Sequence, residues 1–258
     1  MTRSVAGRIE LKSEKDLVHM RRAGRIAGNA LFQVGKAIRP GVTTGELDKL
    51  AEKLIRGAGA IPTFLGYRGY TATICASVNE EVVHGIPSAK RVLKEGDIVG
   101  IDVGATFEGF VGDTAATFGV GKISGGRQKL LDVTRQSLES GIEFARAGNR
   151  LGDVSHAIQV YAESRGFGVV RDFVGHGIGR QMHEEPSVPN YGPPKTGLRL
   201  EAGMVLALEP MLTTGDWNVK VLDDGWTVVT QDGGMAAHFE HTVAITKDGP
   251  EILTVGPE

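Results

Sequence analysis

Two aspartates, Asp102 and Asp113, lie in the segment IDVGATFEGFVGDT, whose residue pattern predicts a tight β-hairpin. Alternating apolar residues flank a turn at Phe107, Glu108 and Gly109. With a two-residue loop, we expect the aspartates to face each other across the strands, where Cβ atoms lie about 4.5–5.5 Å apart and like charges repel. Two buried acids in such a position either share a proton or bind a cation. One of these two solutions is required, because uncompensated buried charge is strongly unfavourable, and the rest of the chain must provide it.

The composition is that of an ordinary globular protein. The chain has 258 residues, of which 41% are hydrophobic and 23% charged, so it can bury a core without disulfides. A net charge of −2 gives no indication of a nucleic-acid or membrane-surface partner. The single cysteine, Cys75, excludes an intramolecular disulfide and a cysteine-rich zinc site, and we expect a buried structural thiol. Neither a signal peptide nor a membrane span is apparent, so we expect a cytoplasmic protein.

Helix start signals and hydrophobic periodicity predict the secondary structure. Capping-box patterns at Ser13 with Asp16, and at Thr43 with Glu46, predict two helices, the second ending near Gly57. The remaining predicted elements are strands at 71–78, 98–105 and 109–118, helices at about 127–147 and 151–165, and strands near 169, 205–208, 226–230 and 239–245.

The chain contains an apparent internal repeat. A displacement of 107 residues aligns LKEGDIVGID with LEAGMVLALE, and therefore Asp102 with Glu209. After roughly twenty additional residues, VGDTAA aligns with HFEHTVA, and Asp113 with Glu240. Chance similarity between two α/β halves is the alternative, but a repeat explains why each half ends in a pair of acids. We expect an N-terminal extension (1–12) and one catalytic domain (13–258), with pseudo-two-fold halves at about 13–120 and 125–250.

Four acids at strand positions related by a repeat predict a metal centre. For any single acid, an ion pair with one of the 29 Lys and Arg residues is the ordinary alternative. We expect His176, in VGHGIGRQMHEEP, to add an imidazole, although a histidine among glycines is often only a structural hydrogen bonder. Four carboxylates and one imidazole suit two divalent ions about 3.5–4 Å apart. They do not suit a closed structural zinc site, which prefers Cys and His.

Two further histidines, His84 and His183, stand in matching H-x-x-P frames. Neither is needed as a ligand, so each is free to hydrogen-bond a substrate or transfer a proton, unless it only caps a turn. Tyr67, Tyr70 and Trp226 are candidates for the wall of an apolar pocket, although aromatic residues also belong to cores.

With these residues assembled, the chain resembles the type I methionine aminopeptidases over about residues 12 to 255. The resemblance rests on the five ligand candidates in their contexts and on the segments YRGYTATICASVNEEVVHGIP and GHGIGRQMHEEP. It implies the α+β class and the pita-bread fold, with a central antiparallel sheet between outer helices. It favours these enzymes over prolidases and X-Pro aminopeptidases, which carry an additional N-terminal domain, and over type II enzymes, which carry a long helical insertion.

The same resemblance implies an activity. The chain would remove the initiator methionine from nascent polypeptides with a small second residue, by attack of a metal-bridging water or hydroxide on the scissile carbonyl. The cofactors would be two divalent ions, whether Mn, Fe, Co or Zn. The enzyme would be a monomer, and its partners would be the N-terminal peptides of nascent proteins, which it would meet at the ribosome. The implied roles are Asp102 on one ion, Asp113 and Glu240 bridging, His176 and Glu209 on the second ion, Glu209 as general base, His84 at the scissile amide, His183 at the tetrahedral intermediate, and Tyr67, Tyr70, Cys75 and Trp226 around the methionine side chain.

Two residues depart from the family pattern. Met182 stands where Phe is frequent, and we expect it to soften the pocket wall. His238 stands two residues before Glu240, where Gln is frequent, and we expect its imidazole to act around the ligands or to reach a third ion.

The alternative functions are those of another peptidase on this fold, a binding module that has lost catalysis, and a metal-independent carboxylate glycosidase.

Overall fold

The computed structural model describes residues 9–256. Most of the predicted N-terminal extension therefore lies outside the described residues. The helices and strands are α1 (Glu14–Ala37), α2 (Thr44–Gly57), β1 (Ile61–Pro62), β2 (Ile74–Val78), β3 (Glu81–Val83), β4 (Ile98–Phe107), β5 (Phe110–Gly119), α3 (Gly125–Phe144), α4 (Leu151–Glu163), β6 (Gly168–Val169), β7 (Gly175–Gly177), β8 (Glu184–Val188), β9 (Val205–Leu208), β10 (Met211–Thr213), β11 (Val219–Val221), β12 (Val228–Thr230), β13 (Ala236–His238), β14 (Glu240–Ile245) and β15 (Pro250–Ile252).

Both predicted capping boxes are confirmed. The Ser13 hydroxyl accepts the Asp16 backbone N–H, while the Asp16 carboxylate accepts the Ser13 N–H at 3.0 Å. Thr43 and Glu46 make the same reciprocal pair at the start of α2. These contacts satisfy backbone donors that have no partner inside the helix, so a local four-residue pattern is sufficient to set where each helix begins.

Two predicted boundaries differ from the structure because side chains take backbone partners. The predicted strand at 71–78 begins only at Ile74, where the N–H groups of Thr73 and Ile74 both donate to the Asp48 carboxylate, at 2.8 and 3.1 Å. The predicted helix at 127–147 ends at Phe144, whose carbonyl accepts the Asn149 side-chain amide at 2.9 Å. Neither contact is visible in the hydrophobic periodicity.

The main sheet joins the two halves of the chain at its centre. Its strand order is β1-β4-β5-β14-β9-β7-β8, with β2 paired to β4 and β15 paired to β14. The β4–β5 hairpin of the first half therefore lies beside β14 and β9 of the second, and all of these pairs are antiparallel. Helix α1 packs on β4 and β5, and α3 packs against α4. Among the described helices, none has the length and apolarity needed to cross a bilayer.

The predicted register of the β4–β5 hairpin is wrong by two residues. Pairing of Asp102 with Asp113 would require the two-residue loop to be Phe107 and Glu108. The observed loop lies one residue later, at Glu108 and Gly109, with φ of 49° and 80°, as a type I′ turn requires. Asp102 and Asp113 are therefore diagonal neighbours on one face rather than directly opposed. Apolar alternation fixes which face a residue occupies, but the turn fixes which residues pair. The observed pairs are Phe107 with Phe110, Asp102 with Ala115, and Gly104 with Asp113.

Two threonine hydroxyls secure the seam between β5 and the neighbouring strands β13 and β14. Thr242 Oγ1 donates to the Asp113 carbonyl at 2.8 Å and accepts the Asp113 N–H at 3.0 Å. Thr117 Oγ1 makes the equivalent pair of bonds to the backbone of His238, both at 2.9 Å. The backbone around the candidate ligands is thus hydrogen-bonded on both sides of the seam, which fixes their positions within the sheet.

Helix α1 approaches β5 at a contact that only glycine permits. A Cβ at Gly112 would lie 2.5 Å from the Gly24 Cα and 2.7 Å from the Ala23 carbonyl carbon, and neither backbone atom can move aside cheaply. We predict that Gly112→Ala lowers the free energy of unfolding by about 1–3 kcal/mol, measured by urea denaturation. Gly57→Ala is the matched control, because nothing lies within 4 Å of its added Cβ. Equal stability of the two variants would contradict the packing argument.

Candidate metal centre

A cavity of about 180 Å³ opens over the centre of the main sheet. Every site residue predicted from the sequence lines it, from the four acids and three histidines to the aromatic candidates, and so does His238. Sequence reasoning did not single out the remaining lining residues, since nothing local distinguishes them from ordinary core or surface positions. These are Phe64, Arg68, Val83, Phe173, Val174 and Met211.

Strand pairing places three of the acids on one face of the sheet. Ala115 of β5 pairs with Asp102 on one side and with Glu240 on the other, so these three residues form one row across the strands. Asp113 lies two residues from Ala115 on the same strand and therefore points to the same face. The alternation of a strand, combined with the observed register, is enough to bring the acids together.

The fourth acid and the imidazole come from the second half. His176 of β7 pairs with Ala207 of β9, which pairs with Thr242 of β14, two residues from Glu240. His176 therefore points to the face of the acids. Glu209 follows the last residue of β9 and enters the cavity beside it.

The distances between donor atoms are those of groups that share an ion rather than a hydrogen bond. His176 Nε2 lies 3.5 Å from Glu209 Oε1 and 3.9 Å from Asp113 Oδ2. Ligand atoms of Asp113, His176 and Glu240 all lie within 4.8 Å of one another. Two donors bound to one ion at about 2.1 Å are separated by about 3.0–4.2 Å, depending on the angle between them. The two distances from His176 Nε2 fall in this range.

In the described part of the chain, no lysine or arginine neutralises the acids. The only nitrogens of residues 9–256 within ion-pair distance of the four carboxylates belong to His176 and His238. Buried oxygens of Asp102, Asp113 and Glu240 also have no hydrogen-bond partner among these residues. The ion-pair alternative raised for each acid is therefore absent, and the unpartnered oxygens fit hard divalent cations.

Burial and mutual repulsion shift the ionisation of these acids. Burial raises the pKa of Asp102 to about 7. Burial first, and then the neighbouring carboxylates, raise the pKa values of Asp113, Glu209 and Glu240 well above their usual range. Burial also lowers the pKa of His176 to about 4, which keeps its imidazole neutral and able to ligate near neutral pH.

His183 lies at the exposed mouth of the cavity and is held by an aromatic neighbour. Its Nδ1 is 2.8 Å from the Tyr67 hydroxyl, and the two rings stack with centroids 5.5 Å apart. Its ring centroid is also 4.2 Å from that of His176. Tyr67, expected only as a pocket residue, therefore also orients His183 and leaves Nε2 available to other groups.

His84 reaches the cavity from a backbone conformation that is unusual for a histidine. Its φ is 60°, in the left-handed region, and its ring packs edge-on against Phe173 and Trp226 at 5.6 and 6.3 Å. Burial, and then the nearby His183, lower its pKa to about 4. A neutral imidazole held in this way can donate or accept a hydrogen bond near neutral pH.

The remaining wall is apolar and adjoins Asp102. Tyr70, Cys75 and Met182 belong to one buried cluster, against which Trp226 packs. Cys75 pairs with Asp102 across β2 and β4, so the apolar wall and the acids meet along one pair of strands. Burial, and then the charge of Asp102, raise the pKa of the Cys75 thiol, which disfavours a nucleophilic thiolate.

His238 is buried beside Glu209. Its Nε2 has no hydrogen-bond partner and lies 3.8 Å from Glu209 Oε2, the carboxylate oxygen on the side away from His176. Burial lowers its pKa to about 3, so the imidazole is neutral. The sequence shows only that this histidine precedes Glu240 by two residues, whereas the fold places it against Glu209.

Comparison with known proteins agrees with this geometry. A sequence model of metallopeptidase family M24 matches residues 18–247. The chain is 56% identical over 247 residues to a methionine aminopeptidase of Clostridium acetobutylicum, covering 96% of this chain and 99% of that protein. It is 54% identical to methionine aminopeptidase 1 of Bacillus subtilis, covering 94% and 98% of the two chains.

Solved structures confirm the expected pita-bread fold. The crystal structure of methionine aminopeptidase from Thermotoga maritima superposes with a TM-score of 0.95 at 50% identity, over 96% of this chain and 100% of that one. An Xaa-Pro dipeptidase from Bacillus anthracis superposes with a TM-score of 0.75 at 23% identity, over 96% of this chain and 62% of that one, which shows a shared fold alone. The chain belongs to metallopeptidase family M24 and, within it, to the methionine aminopeptidases.

Proposed function

We propose that this metallo-aminopeptidase removes the initiator methionine from nascent polypeptides in the cytoplasm, using two divalent ions and preferring a small second residue. One observation supports the proposal above the others: four carboxylates, with no lysine or arginine partner among residues 9–256, face a cavity whose adjoining wall is apolar. The carboxylates fit a metal centre, and the apolar wall fits an apolar side chain at the end of a peptide. We propose a monomer that meets its substrates at the ribosome.

The charge and chemistry of the donor set support two ions. Four carboxylates balance two divalent cations, whereas one cation would leave two buried negative charges uncompensated. Asp102 would hold one ion, and His176 and Glu209 the other. Asp113 and Glu240 would help to hold both, because their strands lie between the strand of Asp102 and those of His176 and Glu209. When bound, such ions polarise the scissile carbonyl and lower the pKa of water to about 7.

The protein side chains then supply proton transfer and orientation. Glu209, whose pKa burial raises, is suited to accept a proton from the attacking water. His183, oriented by Tyr67, would donate a hydrogen bond from Nε2 to the oxygen that becomes negative. His84, which lines the same cavity, would contact the scissile amide.

Two adjoining cavities support exopeptidase specificity. The cavity of about 180 Å³ would accommodate one apolar side chain, and a second cavity of about 630 Å³ shares Val174, His176 and His183 with it. We assign the second cavity to the peptide that follows the cleaved bond. The second residue would lie where the two cavities meet, between these shared side chains, and large side chains would be excluded there.

Hydrolysis of a small peptide panel tests the proposal. With a divalent metal added, we expect cleavage of Met-Gly-X, much slower cleavage of Met-Phe-X, and no cleavage of X-Pro peptides, measured by chromatographic release of the first residue.

Asp113→Ala should lose metal binding and hydrolysis together, because Asp113 would help to hold both ions. Preference for X-Pro peptides would overturn the substrate assignment, and full activity in chelated protein or in Asp113→Ala would overturn the metal assignment.

We predict that His183→Ala lowers kcat about 10²- to 10³-fold while metal stoichiometry is unchanged, because a hydrogen bond to the developing oxyanion is lost. Steady-state kinetics and elemental analysis measure the two quantities. Tyr67→Phe keeps the ring but removes the hydroxyl that orients His183, so a smaller decrease in kcat is expected. A normal kcat in His183→Ala would remove the role assigned to this residue.

We predict that metal binding releases protons and strengthens as pH rises from about 5 to about 8. The sign follows from the acids: their pKa values are raised, so at the lower pH they hold protons that the ion must displace. His176, with a pKa of about 4, is already neutral over this range, so its ionisation does not change the pH dependence of metal binding. Calorimetry in two buffers of different ionisation enthalpy measures the released protons. An affinity that does not change with pH would contradict the raised pKa values.

A further inference from the structure

A buried lysine from the segment before α1 contacts the segment that carries His183. The Lys12 side chain is 1% exposed, and its Nζ lies 2.7 Å from Glu184 Oε2, across 172 positions of sequence. The Lys12 backbone N–H donates to the Gly203 carbonyl at 2.7 Å, which holds this segment against the second half of the chain. A lysine side chain is rarely fully buried unless its charge is paired, as it is here with Glu184.

The other oxygen of Glu184 organises the backbone on which His183 lies. Glu184 Oε1 accepts the backbone N–H groups of Arg180 and Gln181 at 2.8 and 3.1 Å. These bonds close the turn formed by residues 180–184, which presents Met182 and His183 to the cavity. One carboxylate thus connects the turn to Lys12.

Packing at Gly179 shows how tightly these groups meet. A Cβ at this position would lie 2.6 Å from Lys12 Nζ and 2.7 Å from Glu184 Oε1. Gly179, the third glycine of the motif GHGIGRQMHEEP, therefore lets the Lys12 side chain reach the Glu184 carboxylate. The same turn is fixed on its far side, because the Val111 N–H donates to the Gly179 carbonyl at 2.8 Å.

We propose that Lys12 is a positioning residue for catalysis: its ion pair with Glu184 holds turn 180–184 in the geometry that places His183 at the reacting carbonyl. The inference rests on the proposed function, because it assigns Lys12 an effect on the step that His183 serves. Tyr67 fixes the orientation of the imidazole ring, and the Lys12–Glu184 pair fixes the backbone that carries it. Residues 9–12 are then part of the catalytic structure rather than an appendage to it.

Lys12→Met, Lys12→Arg and Glu184→Gln test the proposal on the full metal-loaded protein. In Lys12→Met, kcat for Met-Gly-X should fall about tenfold to a hundredfold, as a misplacement of about 1 Å does in other enzymes. KM, and the number of bound metal ions, should stay near wild type. Lys12→Arg keeps the charge and should recover much of kcat.

A tetrahedral probe separates positioning from general structural damage. A phosphonate analogue of methionine resembles the intermediate, so its affinity should fall in parallel with kcat in Lys12→Met, while the affinity for methionine itself should not. The double variant Lys12→Met/Glu184→Gln should lose no more activity than the more damaged single variant, because both changes break one contact.

Glu251→Gln is the matched control, since it removes the charge of a carboxylate that pairs with Arg21 at 2.7 Å and that lines neither cavity. It should keep wild-type kcat. If Lys12→Met and Glu184→Gln keep wild-type kcat and phosphonate affinity, or if kcat falls only with lost metal or a lowered folded fraction by circular dichroism, the proposal is overturned. Wild-type protein that fails to cleave methionyl peptides would instead overturn the proposed function.

Discussion

Repulsion among four carboxylates on one face of a sheet is the constraint on which the rest of this structure depends. Asp102 and Glu240 share one row of the sheet, Asp113 lies two residues away, and Glu209 approaches from β9. No lysine or arginine of the described residues pairs with them. A fold that keeps such a cluster is destabilised unless cations bind, so the architecture and the metal requirement are consequences of one electrostatic problem.

The cluster exists only where the two halves meet. Asp102 and Asp113 belong to the first half, whereas His176, Glu209 and Glu240 belong to the second, and the β5–β14 seam brings them together. Threonine hydroxyls on that seam bind the backbone of Asp113 and of His238. Formation of the site is therefore inseparable from correct docking of the halves, and each half alone would hold only a pair of repelling or isolated acids.

The two halves contribute unlike surroundings to the acid cluster. The first half supplies Tyr70 and Cys75 of the apolar wall, next to Asp102, and the second half supplies Met182 and Trp226. The second half also supplies the turn that carries His183 and the wider cavity beyond it. Both halves thus provide acids to one face of the sheet, while their loops provide different side chains around it. The Lys12–Glu184 pair adds a contact from the segment before α1 to the turn that carries His183.

Features that depend on local or periodic information could be predicted from the sequence. Ser13 and Thr43 marked helix starts because capping involves residues three positions apart, and the acids stood out because they recur at corresponding positions of the two halves. Features that depend on residues distant in sequence required the folded chain. The turn at Glu108 and Gly109 shifted the hairpin register, and only the fold brought Tyr67 to His183 and Lys12 to Glu184. Alternation assigns a side chain to a face, but pairing, packing and burial choose its neighbour, and that choice is a property of the whole chain.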